Sequence, residues 1–313
     1  MIKNVYDYFE NLHKKDLPRN EHSLILDNEV ITKIDNSGYV RKYGRPNLSI
    51  DGTPYHAKKM HEIHPMMEFA TSKMYNQIGI PTIPTYSLET SGNDTMKYKL
   101  ISQNLHSIKD LMFTIAGEII KTKDISHYRV INDYKWAIFY DQELKDIFLR
   151  YMTPECLEML GTLYLIDELR TEVDRHEDNY FFVKGPNDRK YKGIIALDNE
   201  LSALLLADKI PSTQGKFKDF LTHPYFSYTP LCCSSLSMDY ETRVKHILKL
   251  IEAQVLSPKQ IKILKATLQH DFPAEIKGAG QHPFLQPDAT IAYDATSQLW
   301  EYNNNHIGKE LGL

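Results

Sequence analysis

With 313 residues and a mass of 36.4 kDa, the chain can bury a substantial core, either as one large domain or as two smaller lobes. Its 37 Lys+Arg against 41 Asp+Glu, with a pI near 6.4, exclude a global electrostatic case for nucleic acid or an anionic membrane as the main partner. Three cysteines, two of them adjacent at Cys232 and Cys233, exclude a disulfide framework and a spaced zinc or redox motif, which fits a reducing cytoplasm.

The first residues carry acids and lack the continuous apolar core of a secretory signal, and no later run approaches about 18 uninterrupted apolar residues. A soluble, cytoplasmic protein with no transmembrane segment is expected. Export without a cleaved signal, as in injection into a host cell, would leave the same sequence.

A short N-terminal helix opens the chain, and residues 24–60 then read as short strands separated by Asn-Ser-Gly and Asp-Gly-Thr-Pro turn signals. Next, Pro65 opens a helix in which Phe69, Ala70, Met74 and Ile78 recur at helical spacing, and Gly79 with Pro81 closes it. Residues 86–90 and 96–105 read as two strands around a Ser-Gly-Asn-Asp turn. Residues 24–105 therefore form a compact α+β lobe.

From Ser107 the pattern changes. Residues 111–122, 134–152 and 154–170 have helix-length apolar periodicity, so the second lobe is predicted to be mostly helical. Residues 240–256 and 257–272 add two amphipathic helices, the second opened by Ser257 and Pro258. The tail from Pro273, rich in Gly, Pro, Asn and Gln, reads as irregular.

The densest chemistry lies in Val-Asp-Arg-His-Glu-Asp-Asn, residues 173–179, between an apolar helix and two strands joined by a Gly-Pro-Asn-Asp turn. The second strand ends at Asp198, so a hairpin brings Asp174, Asn179 and Asp198 together. Hard cations take such oxygen ligands and share one or two carboxylates with substrate phosphates. Asn179 and Asp198 are the candidate ligands for Mg²⁺ or Mn²⁺, and Asp174 is left to accept or orient the proton of an attacking hydroxyl. His176 reads as a residue that holds the loop. His56, His61, His64 and His223 are scattered without metal-ligand spacing, and Cys156 reads as a small core residue. The 20 tyrosines lack the basic interleaving of a base-stacking surface, so no nucleic-acid partner is expected.

The pattern Asp-x-His-x-x-Asn at Asp174, His176 and Asn179, followed by an apolar run ending in Asp198, resembles the catalytic loop and metal-binding aspartate of atypical kinases. HipA-like bacterial kinases and the phosphatidylinositol 3- and 4-kinases both carry versions of it. The run from Glu68 to Gly79 and Pro81 resembles a HipA-like helix that begins with an ion-pairing glutamate. The resemblance implies a two-lobed protein-kinase-like fold of the α+β class. Residues 1–105 would form a small β-rich N-lobe, and residues 106–313 a larger, mostly helical C-lobe. It implies a lysine partner for Glu68 on the preceding strand, for which Lys59 is favoured and Lys58 is the fallback. It also places the nucleotide hinge at Gln103. The phosphate loop would lie at Gly38, although a plain hairpin turn explains that glycine equally well. Asn199-Glu200 stands where many kinases have Phe-Gly.

The activity so implied is γ-phosphoryl transfer from ATP to a hydroxyl of a protein substrate. Phosphoinositide is the alternative acceptor; a pseudokinase or a nucleotidyltransferase on the same fold are further alternatives. The Lys-, Asn-, Ile- and Tyr-rich composition resembles that of low-GC bacteria, which suggests a bacterial toxin or effector kinase. That setting brings the expectation of an antitoxin-like or host regulator, with an inositol polyphosphate as one activator chemistry.

Overall fold

The computed structural model describes residues 47–50, 53–59, 63–83, 85–88, 99–103, 105, 108–120, 134–199, 202, 214–224, 238–280 and 289–313. The expected N-terminal helix, Gly38, Glu200, Cys232 and Cys233 lie outside these residues.

β1 (Asn47–Ile50) and β2 (Thr53–Lys59) pair antiparallel with Ile50 opposite Thr53, as a two-residue Asp-Gly connection dictates. β3 (Thr85–Leu88) and β4 (Lys99–Gln103) complete an antiparallel sheet of order β1-β2-β4-β3. Between β2 and β3 runs α1 (Ile63–Ile78). It ends at Gly79, whose φ of +85° is open to glycine without a Cβ penalty. Of the predicted recurrence, Ala70, Met74 and Ile78 are buried and Phe69 is partly buried against the same core, which Met66 and Met67 also enter.

Residues 111–122 correct the periodicity. They are not one helix but β5 (Met112–Ile115) followed by the short α2 (Ala116–Ile120). Phe113, Thr114 and Ile115 suit a pleated surface, and β6 (Tyr180–Lys184) supplies the backbone partners, with Met112 opposite Lys184 and Ile115 opposite Phe181. β7 (Gly193–Ala196) closes this second sheet of order β5-β6-β7. Residues 134–152 also differ, splitting into α3 (Tyr134–Tyr140) and α4 (Gln142–Tyr151). Asp141 leaves the helix there because its Oδ1 accepts the Leu144 N–H at 3.0 Å, a cap that competes with helical continuation.

The remaining helices are α5 (Pro154–Leu169), α6 (Gln214–Thr222), α7 (Tyr240–Glu252) and α8 (Pro258–Gln269). α8 opens with a full capping box, Ser257 Oγ accepting from Gln260 N while the Gln260 side chain accepts from Ser257 N. Ser257 Oγ also bonds Glu158 Oε1 on α5. Ser257→Ala is therefore expected to lower stability by about 1 kcal/mol, read as a fall in the urea midpoint at unchanged slope.

The tail overturns the irregular assignment. α9 (Phe272–Gly280) and α10 (Ala289–Asn303) follow, then a π-helical turn at Asn304–Gly308. Pro273 falls in the first turn of α9, where a missing N–H costs nothing. Ile276, Ala292, Ala295, Leu299, Trp300 and Ile307 are buried in one cluster with α1 and α5. These apolar positions are too sparse to show periodicity among Gly and Asn, yet each reaches the core. Lys73 of α1 meets Glu275 of α9 at 2.5 Å.

Candidate functional site

Beyond its first turns α5 is buried on every face, so Thr162, Asp167 and Glu168 have no route to water. Thr153 caps it, accepting from Cys156 N at 3.3 Å, and Pro154 sets its first turn. Its last turn and the loop beyond carry Asp167, Glu168, Arg170, Glu172 and Arg175, all no more than 2 % exposed. Buried charges persist only where paired and hydrogen-bonded. Arg175 Nε donates to Asp167 Oδ2 at 2.9 Å, and its Nη2 donates to Asp167 Oδ1 at 3.2 Å. Tyr75 of α1 donates to Asp167 Oδ1 at 2.6 Å and accepts from Arg170 Nη1 at 3.0 Å. Arg170 Nη2 in turn reaches Glu172 Oε2 at 3.3 Å, while Arg243 pairs with Glu168 at 2.8 Å.

This network sets the backbone of residues 173–179. Glu172 Oε1 accepts the Asp174 N–H at 2.9 Å, and Arg175 Nη1 donates to the carbonyls of Asn179 (2.9 Å) and Leu197 (2.6 Å). Arg175 thus clamps the start of β6 to the end of β7. Leu197 N also donates to Asn179 O at 2.9 Å, extending the Tyr180–Ala196 register by one step and setting Asn179 next to Asp198. The backbone therefore carries the Asp174–Asn179 loop and Asp198 to the same end of the hairpin.

Within the trio, Asn179 Nδ2 donates to Asp174 O at 2.6 Å and to Asp174 Oδ2 at 3.3 Å. That fixes the amide orientation and leaves Asn179 Oδ1 as an acceptor. An amide oxygen and a carboxylate are hard ligands, so these residues fit a divalent cation that also takes phosphate oxygens. The Asp174 side chain is 36 % exposed, so an acceptor can reach it. His176 Nδ1 accepts from Asp178 N at 3.2 Å, a contact within the loop. Asp198 itself has φ +48° and Thr171 φ +60°. Left-handed backbone is tolerated by Asp but is an outlier for a β-branched residue, and costs roughly 1–3 kcal/mol where surroundings enforce it. At Thr171 the enforcing contacts are its hydroxyl on Ser202 Oγ at 2.5 Å and the Glu172–Ser202 bridge.

From the other half, Glu68 of α1 is 8 % exposed and its Oε2 accepts the Asn199 N–H at 2.5 Å, one residue past Asp198. The backbones of Lys59 and Lys58 lie at the end of β2, opposite Lys99 and Leu100, and Gln103 ends β4 opposite Tyr55. The side chains of Lys59, Lys58 and Gln103 lie outside the described residues, as does Gly38. Sequence reasoning passed over Tyr75, Asp167, Arg170, Glu172 and the structural part played by Arg175 and Asn199. The available signal was charge inside an otherwise apolar helix.

Burial raises the Glu172 carboxyl from 4.5 to about 7, opposed by Arg170 and Arg175. The folded protein then binds an extra proton between those values. The stabilising effect is complete below about 4.5 and is lost as pH rises through about 7. Wild type is expected to show a falling urea midpoint across that window, and Glu172→Gln to lack that fall.

No family profile and no curated protein sequence matches the chain. Among solved structures it is similar to the Helicobacter pylori proinflammatory kinase CtkA, with a TM-score of 0.54 and 12% identity over 85% of this chain and 91% of that one. The chain has a two-lobed, protein-kinase-like fold. The Shewanella oneidensis HipA, solved with HipB and operator DNA, is similar at a TM-score of 0.50 and 12% identity, over 98% of this chain and 84% of that one. Among the described residues no helix is long and apolar enough to cross a membrane.

Proposed function

We propose that the protein is an ATP-dependent phosphotransferase that delivers the γ-phosphoryl group to a hydroxyl of a protein, with its lobes parting near residue 105. The observation that supports this is the buried scaffold that carries the Asp174–Asn179 loop and Asp198 to one end of the hairpin, with Glu68 anchored one residue from Asp198. Asp174 orients the acceptor hydroxyl and takes its proton. Asn179 and Asp198 hold Mg²⁺ or Mn²⁺, which when bound spreads the charge of the transferred group. Lys59, paired with Glu68, contacts the phosphates; Gln103 meets the adenine edge, and Gly38 lies in the phosphate loop.

The test is incubation with γ-labelled ATP and Mg²⁺ or Mn²⁺, beside Asp198→Ala, Asp174→Ala and Lys59→Ala, with and without host-cell extract. Label on protein that vanishes in Asp198→Ala and on chelation supports the assignment. Label on phosphoinositide moves it to a lipid kinase, the acceptor suggested by the Asp-Arg-His-x-x-Asn wording. Pyrophosphate release in place of ADP moves it to nucleotidyl transfer. ATP binding without any transfer, extract included, makes it a pseudokinase. Activity only with extract supports a host activator.

A further inference from the structure

Asn199 occupies a junction that hydrogen bonds reach from three directions. Its N–H donates to Glu68 Oε2 at 2.5 Å, and its Nδ2 makes a longer 3.5 Å contact with Glu68 Oε1. Its Oδ1 accepts from Arg175 Nη2 at 2.5 Å, and its carbonyl accepts from Arg170 Nη2 at 2.8 Å. The residue is 1 % exposed, so no water competes for these partners. One amide thus reads a carboxylate on α1 with its nitrogen and a guanidinium of the catalytic loop with its oxygen. No apolar side chain here could do both, since each buried partner would be left unsatisfied.

We propose that Asn199 is a positioning residue that couples α1 to the Asp174–Asn179 loop, holding Glu68 in its engaged position from inside the larger lobe. The proposal rests on the kinase reading for its catalytic consequence but not for its structural one. Tyr75 supports it independently: two helical turns after Glu68 on the same face, it bonds Asp167 and Arg170 of the same network. α1 is thereby tied at both ends to residues that also set Asp174 and Asn179. The polarity of the junction is also specific: a donor on residue 199 faces an acceptor on residue 68.

That polarity gives the test. Asn199→Asp keeps the acceptor for Arg175 but sets a carboxylate against Glu68, and Glu68→Gln sets a donor against the Asn199 amide. In Glu68→Gln/Asn199→Asp the direction reverses: the Gln amide donates to the new carboxylate and its oxygen still accepts the backbone N–H. Hydrogen exchange of α1 in the full chain is the first readout, with α8 as the internal control. Each single variant is expected to speed exchange in α1 about tenfold without a matching change in α8, and the double variant to recover most of that loss. The second readout is label transfer from ATP, where Asn199→Asp, which leaves Glu68 itself intact, should fall about tenfold below wild type. A double variant exchanging as fast as the worse single one, or α8 rising in step with α1, overturns the coupling. If wild type transfers no phosphoryl group, the kinase reading falls, and the exchange result alone upholds or rejects the junction.

Discussion

Asp198→Asn is expected to reduce phosphoryl transfer by on the order of a thousandfold, the scale on which one group stabilising transition-state charge acts. Asn tolerates the left-handed backbone at φ +48° nearly as well as Asp, so the fold should survive. Asp198→Ala removes the ligand outright but adds strain at the same position, so Asn gives the cleaner magnitude. The neutral amide keeps an oxygen toward the site but loses the charge that would draw the cation. Two measurements separate the effects: the thermal midpoint, expected to change little, and the metal concentration for half-maximal transfer, expected to rise steeply. A variant that transfers phosphate at the wild-type rate would remove Asp198 from the chemistry, and with it the assignment of Asn179 as its co-ligand.

Arg175→Met should lower stability by about 3–5 kcal/mol, because it removes the two-point partner of the buried Asp167 carboxylate and leaves it Tyr75 and the longer 3.6 Å contact with Arg170. The same guanidinium serves the carbonyls of Asn179 and Leu197 and Asn199 Oδ1, and each would lose a donor. Arg175→Lys is not a mild version, since a single ammonium cannot span this forked set of acceptors. Removing the acid as well, in Asp167→Asn/Arg175→Met, should recover part of the loss. Denaturant unfolding of the two variants gives the comparison, and equal midpoints would show that the pair contributes nothing beyond packing.

The way these residues depend on one another explains what could be read in one dimension. The hairpin that joins Asn179 to Asp198 was legible because it rests on a turn signal and strand alternation. The same holds for α1, capped by Gly79, and α8, opened by Ser257. Residues 111–122 were misread as a helix because their apolar spacing fits either period, and only pairing with β6 decides for a strand. The tail was misread because its few apolar residues gain their meaning from contact with α1 and α5, far away in sequence.

The chain's own order of residues thus determined the chemistry on offer: a carboxylate, an amide and a second carboxylate at fixed separations around a hairpin. Tertiary structure decided which other charges join them. Asp167, Arg170, Glu172 and Arg175 look like ordinary polar residues along the chain, yet burial forces them into a single network. Charge and size are properties of each residue, whereas desolvation depends on everything packed around it. Burial, which sequence spacing does not encode, made Arg175 and Asn199 the residues that hold the site together.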